Sequence, residues 1–118
     1  MTPESIKNEV QDAYLKAMEN RSTHWLRQSQ IQHLFQDVKL FGREAGIDFI
    51  ETKLEEIVRE AVEAARCKEA SLLLTPHGFG RAALEGMMHA LRELTALRVE
   101  ARGSGVCLTW ADTAPRVI

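Results

Sequence analysis

Through the first 66 residues the apolar positions recur at helical spacing, and only after residue 97 do they alternate. Ile6, Val10, Ala13, Tyr14 and Ala17 share one face of a first helix. It opens at Thr2-Pro3, a hydroxyl N-cap followed by proline at the first helical position. It is expected to end near Asn20-Arg21, with Ser22 or Thr23 available to cap the next helix. That second helix carries Ile31, Leu34, Phe35, Val38 and Phe41 on one stripe, with Trp25 and Leu26 before it. Gly42 and Gly46 are expected to stop it. A rival pattern makes DVKLF and IDFIE two strands of a hairpin around the same glycines. A third helix starts at Asp48, with Glu51 completing a capping box, and runs to about Arg66. It turns Ile50, Leu54, Ile57, Val58, Ala61 and Ala65 inward and Glu55, Glu56, Arg59, Glu60 and Glu63 to water.

The pattern changes after CKEA. SLLLT is short, apolar and bounded by turn residues, as a buried strand is. GFGRAALEGMMHALRELTA is helical, with Leu84, Met87, Met88, Leu91 and Leu94 inward. LRVEA and VCLTW alternate, and RGSG between them has hairpin-turn chemistry. This order predicts an α+β fold. A helical N-terminal half of three helices (residues 1–66) precedes a β-α-β-β unit (67–111), which forms a small mixed sheet with helices on one face. An irregular tail over 112–118 completes what reads as one domain of 118 residues.

Composition narrows the classes. With 45% apolar and 27% charged residues the chain has the balance of a globular protein rather than a disordered one. Residues 1–66 hold nine basic and twelve acidic side chains (net −3), and residues 67–118 six and five (net +1), which together give the overall −2. Neither half carries the positive field of a non-specific nucleic-acid binder, so nucleic acid is disfavoured as a partner. Cys67 and Cys107 stand apart with no second ligand pair near either, so both are expected to be reduced and largely buried. The charged N-terminus does not have a signal peptide's pattern, and no apolar run approaches a membrane span. A soluble, cytoplasmic protein is expected, with no cofactor and no metal.

The best candidate chemistry lies where the first strand meets its helix. If SLLLT and LRVEA share a sheet, the crossover rule makes them parallel, and their carboxyl ends fall together. Thr75, His77, Gly78, Gly80 and Arg81 would then approach Arg102 and Ser104 beside a helix N-terminus, an arrangement suited to an anion. The competing reading is local: Thr75-Pro76 as another N-cap with proline, and the glycines as turn residues. HGFGR lacks the lysine and hydroxyl of a phosphate-binding Walker loop, and its spacing misses the dinucleotide fingerprint.

Elsewhere the four histidines form no i,i+4 pair, and Arg81, Glu85, His89 and Arg92 read as a solvated helix face. No catalytic set assembles; an enzyme using His77 as acid or base would need a carboxylate partner that the spacing does not supply. The sequence therefore points to a small non-catalytic interaction or regulatory protein, acting through protein contacts and self-association. The alternative is an anion, nucleotide or nucleic-acid binder using loops 75–81 and 102–105.

Overall fold

The computed structural model describes residues 2–19, 31–103 and 105–110. Helix α1 (Pro3–Glu19) starts as its sequence predicts. The Ser5 N–H donates to Thr2 Oγ1 (3.1 Å) and the Thr2 N–H donates to Ser5 Oγ (3.0 Å), so two backbone donors at the helix start are satisfied reciprocally. Ile6 and Val10 are buried from this helix.

The expected second helix does not form over residues 31–41. Ile31–Leu34 make a single 3₁₀ turn, Asp37 takes a left-handed φ of 60°, and Leu40 forms a parallel bridge to Phe79. A 3₁₀ turn also brings residues three apart onto one side, which is why Ile31, Leu34 and Phe35 imitate helical spacing. The earlier part of that expectation, with Trp25 and Leu26, lies outside the described residues. The rival hairpin fails as well, because α2 (Arg43–Arg66) begins directly after Gly42.

Asp48 and Glu51 therefore sit inside α2 rather than capping it; the N-cap is Gly42, extended and without a side-chain cap. Gly46 does not stop the helix because it is where α2 meets α3 (Arg81–Thr95). A Cβ on Gly46 would stand 2.1 Å from the Ala83 carbonyl oxygen, and one on Gly86 would stand 2.1 Å from that of Arg43. One glycine from each helix thus lets the two backbones touch. At its far end α2 closes in a Schellman motif, with Lys68 left-handed (φ 67°). The N–H groups of Lys68 and Glu69 donate to Ala65 O and Ala64 O, both at 3.0 Å.

The sheet holds β1 (Ser71–Leu74), β2 (Arg98–Arg102) and β3 (Gly105–Thr109) in the order β1-β3-β2, both pairings antiparallel. It is not the mixed sheet expected. The hairpin strand β3 folds back between β1 and β2, so those two strands run in the same direction without touching. Counted over the described residues, the fold is α+β with three α-helices and a three-stranded antiparallel sheet. The turn between β2 and β3 uses Gly103 at φ 62°, a conformation open to glycine at no steric cost.

Rows across the sheet follow from the register. Leu72, Leu108 and Val99 align, with Leu74 and Val106 beside them, and all five are buried in the core with α2 and α3. Leu73, Cys107 and Glu100 align on the opposite face. Trp110 is fully buried; its indole N–H donates to Glu69 O (2.9 Å) and its backbone N–H to Ala70 O (3.2 Å), tying β3 to the end of α2. Both cysteines are free; Cys107 is buried, but Cys67 at the α2 terminus is only half-buried, less than expected.

Candidate functional site

Strand β1 feeds Thr75-Pro76-His77-Gly78-Phe79-Gly80 into α3. Thr75-Pro76 does not cap the helix, which starts at Arg81 with Gly80 as its N-cap. Instead the Phe79 N–H donates to Pro76 O (3.3 Å), closing a turn with His77 and Gly78 at its tip.

Segment 38–41 pins this turn from the side. The Leu40 N–H donates to Gly78 O (3.1 Å), and the Gly80 N–H donates to Leu40 O (2.7 Å). A Cβ on Gly78 would lie 2.0 Å from Val38 O, so only glycine admits that strand of backbone. At Gly80 a Cβ would lie 3.2 Å from the Phe41 ring, which rests against the α3 N-cap. Phe79 enters an aromatic cluster with Phe35 and Phe49, at centroid distances of 5.9 and 5.3 Å and near-perpendicular ring planes. Phe35 and Phe49 stand 5.5 Å apart. Of the four phenylalanines, Phe41 alone is left out, 72% exposed.

The second loop does reach the first. A Cβ on Gly105 would stand 2.7 Å from Leu74 O and 3.3 Å from Thr75 Cγ2. The arginines, however, are engaged elsewhere. Arg81, with its side chain 94% exposed, has Glu85 Oε1 3.6 Å from its Nε. Arg102 lies 3.8 Å from Glu100, whose other oxygen is 2.7 Å from Arg98 Nε. Thus each arginine already has a carboxylate on its own element.

Thr75 and exposed His77 share a shallow depression of about 250 Å³ with Gln32, His33, Phe35 and Gln36. Gln32 Nε2 donates to Thr75 Oγ1, linking the 3₁₀ turn to the loop. Among the described residues no carboxylate lines the depression, so none of them gives His77 an acid–base partner there. The structure therefore gathers Thr75 and His77, uses Gly78 and Gly80 for packing against 38–41, and leaves Arg81 and Arg102 on exposed ion pairs. Ser104 lies outside the described residues. Gln32, His33, Gln36 and Phe41 are the residues that sequence reasoning missed at this site. The glutamine-rich run around 28–36 is the signal the sequence offers for this surface.

Among the described residues there is no group of three or more His, Cys, Asp or Glu placed to hold a metal ion. No helix among them is long and apolar enough to cross a membrane. The fold and this surface define a small α+β domain with a pinned loop and one protruding aromatic ring. Compared with known protein families, curated proteins and solved structures, the chain finds no match in any of the three.

Proposed function

We propose that this is a small non-catalytic interaction protein that grips a protein partner through the surface around Phe41 and loop 75–81. The observation that carries the reading is Phe41: 72% exposed, outside the aromatic cluster, and adjacent to Leu40, whose two backbone hydrogen bonds fix it to the loop. A large apolar side chain held in place by backbone loses little further entropy on binding, which is the economy of a preorganised anchor. Burying it in a partner pocket is worth about 1.5–3 kcal/mol, the scale of an interface hot spot. Exposed His77 and Arg81 lie on the loop to which Leu40 is bonded and supply the polar rim.

The anion-binding reading has weaker support. The loops adjoin at Thr75 and Gly105, but segment 38–41 packs on Gly78 and Gly80, Leu74 O lies against Gly105, and both arginines have glutamate neighbours.

A photo-crosslinking amino acid placed at position 41 in the cells that make the protein tests the reading, with one at exposed Glu93 as control. The expected result is a discrete protein adduct from position 41 alone. Phe41→Ser is expected to lose the partner while unfolding at the same temperature. No adduct, or partner capture unchanged in Phe41→Ser, refutes it.

A further inference from the structure

The two edges of the sheet are treated differently. In an antiparallel ladder, residues alternate between pointing their N–H and C=O groups at the partner strand and away from it. The Trp110 N–H bonds to Ala70 O in the same register that opposes Leu72 to Leu108 and Leu74 to Val106. Those β1 residues therefore face β3, and the N–H and C=O groups of Ser71 and Leu73 face outward. They meet no partner among the described residues. Strand β1 carries no charge and no proline, and Leu73 is 46% exposed.

The β2 edge is guarded at Val99, while its Ala101 N–H and C=O also face outward. The Arg92 guanidinium reaches from α3 and donates to Val99 O (2.9 Å), occupying an outward-facing carbonyl. Arg98, Glu100 and Arg102 line the same strand with alternating charge. Charges and plugged carbonyls are how proteins keep sheet edges from pairing, and β1 has neither.

From this asymmetry we infer that the protein self-associates by antiparallel pairing of β1 with β1 of a second copy. This goes beyond the Phe41 reading and uses a different surface. A neutral strand pairs with itself about a twofold axis without like charges meeting, and Leu73 then faces Leu73 of the second copy. The product is one six-stranded sheet in the order 2-3-1-1-3-2. A head-to-tail arrangement would need β1 on β2, and the charged, partly plugged β2 edge opposes it; the assembly closes as a dimer rather than growing into a fibre. Four residues of edge make a smaller contact than stable dimers use, so association depends on concentration.

Light scattering on the full chain, from roughly ten micromolar to roughly one millimolar, reads this directly. The mass is expected to rise from monomer to dimer, and Leu73→Lys to weaken the dimer by about tenfold or more. In a Cys67→Ser, Cys107→Ala background, which removes the native thiol directly opposite position 73 on β3, Leu73→Cys is expected to crosslink between copies under oxidised glutathione, because paired Cα positions of about 5.5 Å lie within disulfide reach. Ala101→Cys on the guarded edge is expected not to crosslink. A monomer at the highest concentration overturns the inference. So does a dimer that Leu73→Lys leaves intact and that Leu73→Cys does not trap. A monomer that still forms the position-41 adduct removes this dimer and leaves the partner reading standing, whereas a trapped dimer without the adduct does the reverse.

Discussion

Gly46→Ala is the substitution on which the packing argument depends most, because its sign reverses with the tertiary contact. On helix propensity alone, alanine inside a helix gains about 0.8–1 kcal/mol over glycine. Here the new Cβ would stand 2.1 Å from the Ala83 carbonyl oxygen and 3.0 Å from its carbon. Backbone has no rotamer to escape into, so α2 and α3 must part by about 1 Å, and a gap of that size forfeits a quarter to a half of each lost contact. Overpacking of this kind costs about 1–3 kcal/mol, and here the upper end applies. After the propensity gain the net loss is about 2 kcal/mol, or roughly 6–10 °C in melting temperature for a chain of this size.

Urea unfolding followed by circular dichroism measures it, with the m-value held as a check that the folded state is otherwise the same. Gly86→Ala relieves against Arg43 O at the same crossing, so the double variant is expected to lose less than the two singles added together. A neutral or stabilising Gly46→Ala would mean the helices do not touch there, and the α2–α3 arrangement would have to be abandoned.

Two further substitutions are expected to stabilise. Gly42→Ser fills an N-cap whose backbone is extended, with nothing within 4 Å of a new Cβ, and the hydroxyl can accept from the bare N–H groups of α2; a gain of a few tenths of a kcal/mol is expected in the same unfolding assay, and a loss would contradict the assigned helix start. Thr109→Val removes a buried hydroxyl without a hydrogen-bond partner on β3, and a gain of about 1 kcal/mol is expected; a loss of that size would mean the hydroxyl is bonded after all.

The sequence disclosed the elements whose signals are local. Thr2 and Ser5 cap α1, SLLL is bounded by turn residues, and RGSG places a glycine where φ must be positive. It misled where a local signal had a distant cause. Gly42 and Gly46 read as helix breakers, yet one starts α2 and the other is held by Ala83 thirty-odd residues away. The small residues Ala83, Gly86 and Ala90 on one face of α3 were the counterpart signal, since close helix approach needs small side chains on both partners. Strand order was beyond reach for the same reason. Alternation marks a strand and RGSG marks a hairpin, but neither says on which side of β2 the hairpin strand finds β1.

The 75–80 loop carries this lesson into function. Glycines at the end of a strand and before a helix suggest a ligand because they expose backbone, but exposed backbone binds whatever comes first. Here Val38 O lies against Gly78, and Leu40 exchanges hydrogen bonds with Gly78 and Gly80. Leu40 O thus takes the Gly80 N–H, a donor that an anion at this helix start would use. That occupation has a consequence of its own. Fixing Leu40 against the loop fixes Phe41 one residue later, and the ring settles against Gly80 instead of joining Phe35, Phe49 and Phe79 in the core. A glycine pair that looked suited to phosphate serves to hold an aromatic side chain out in water. That arrangement is the physical ground for the proposal that another protein covers this surface.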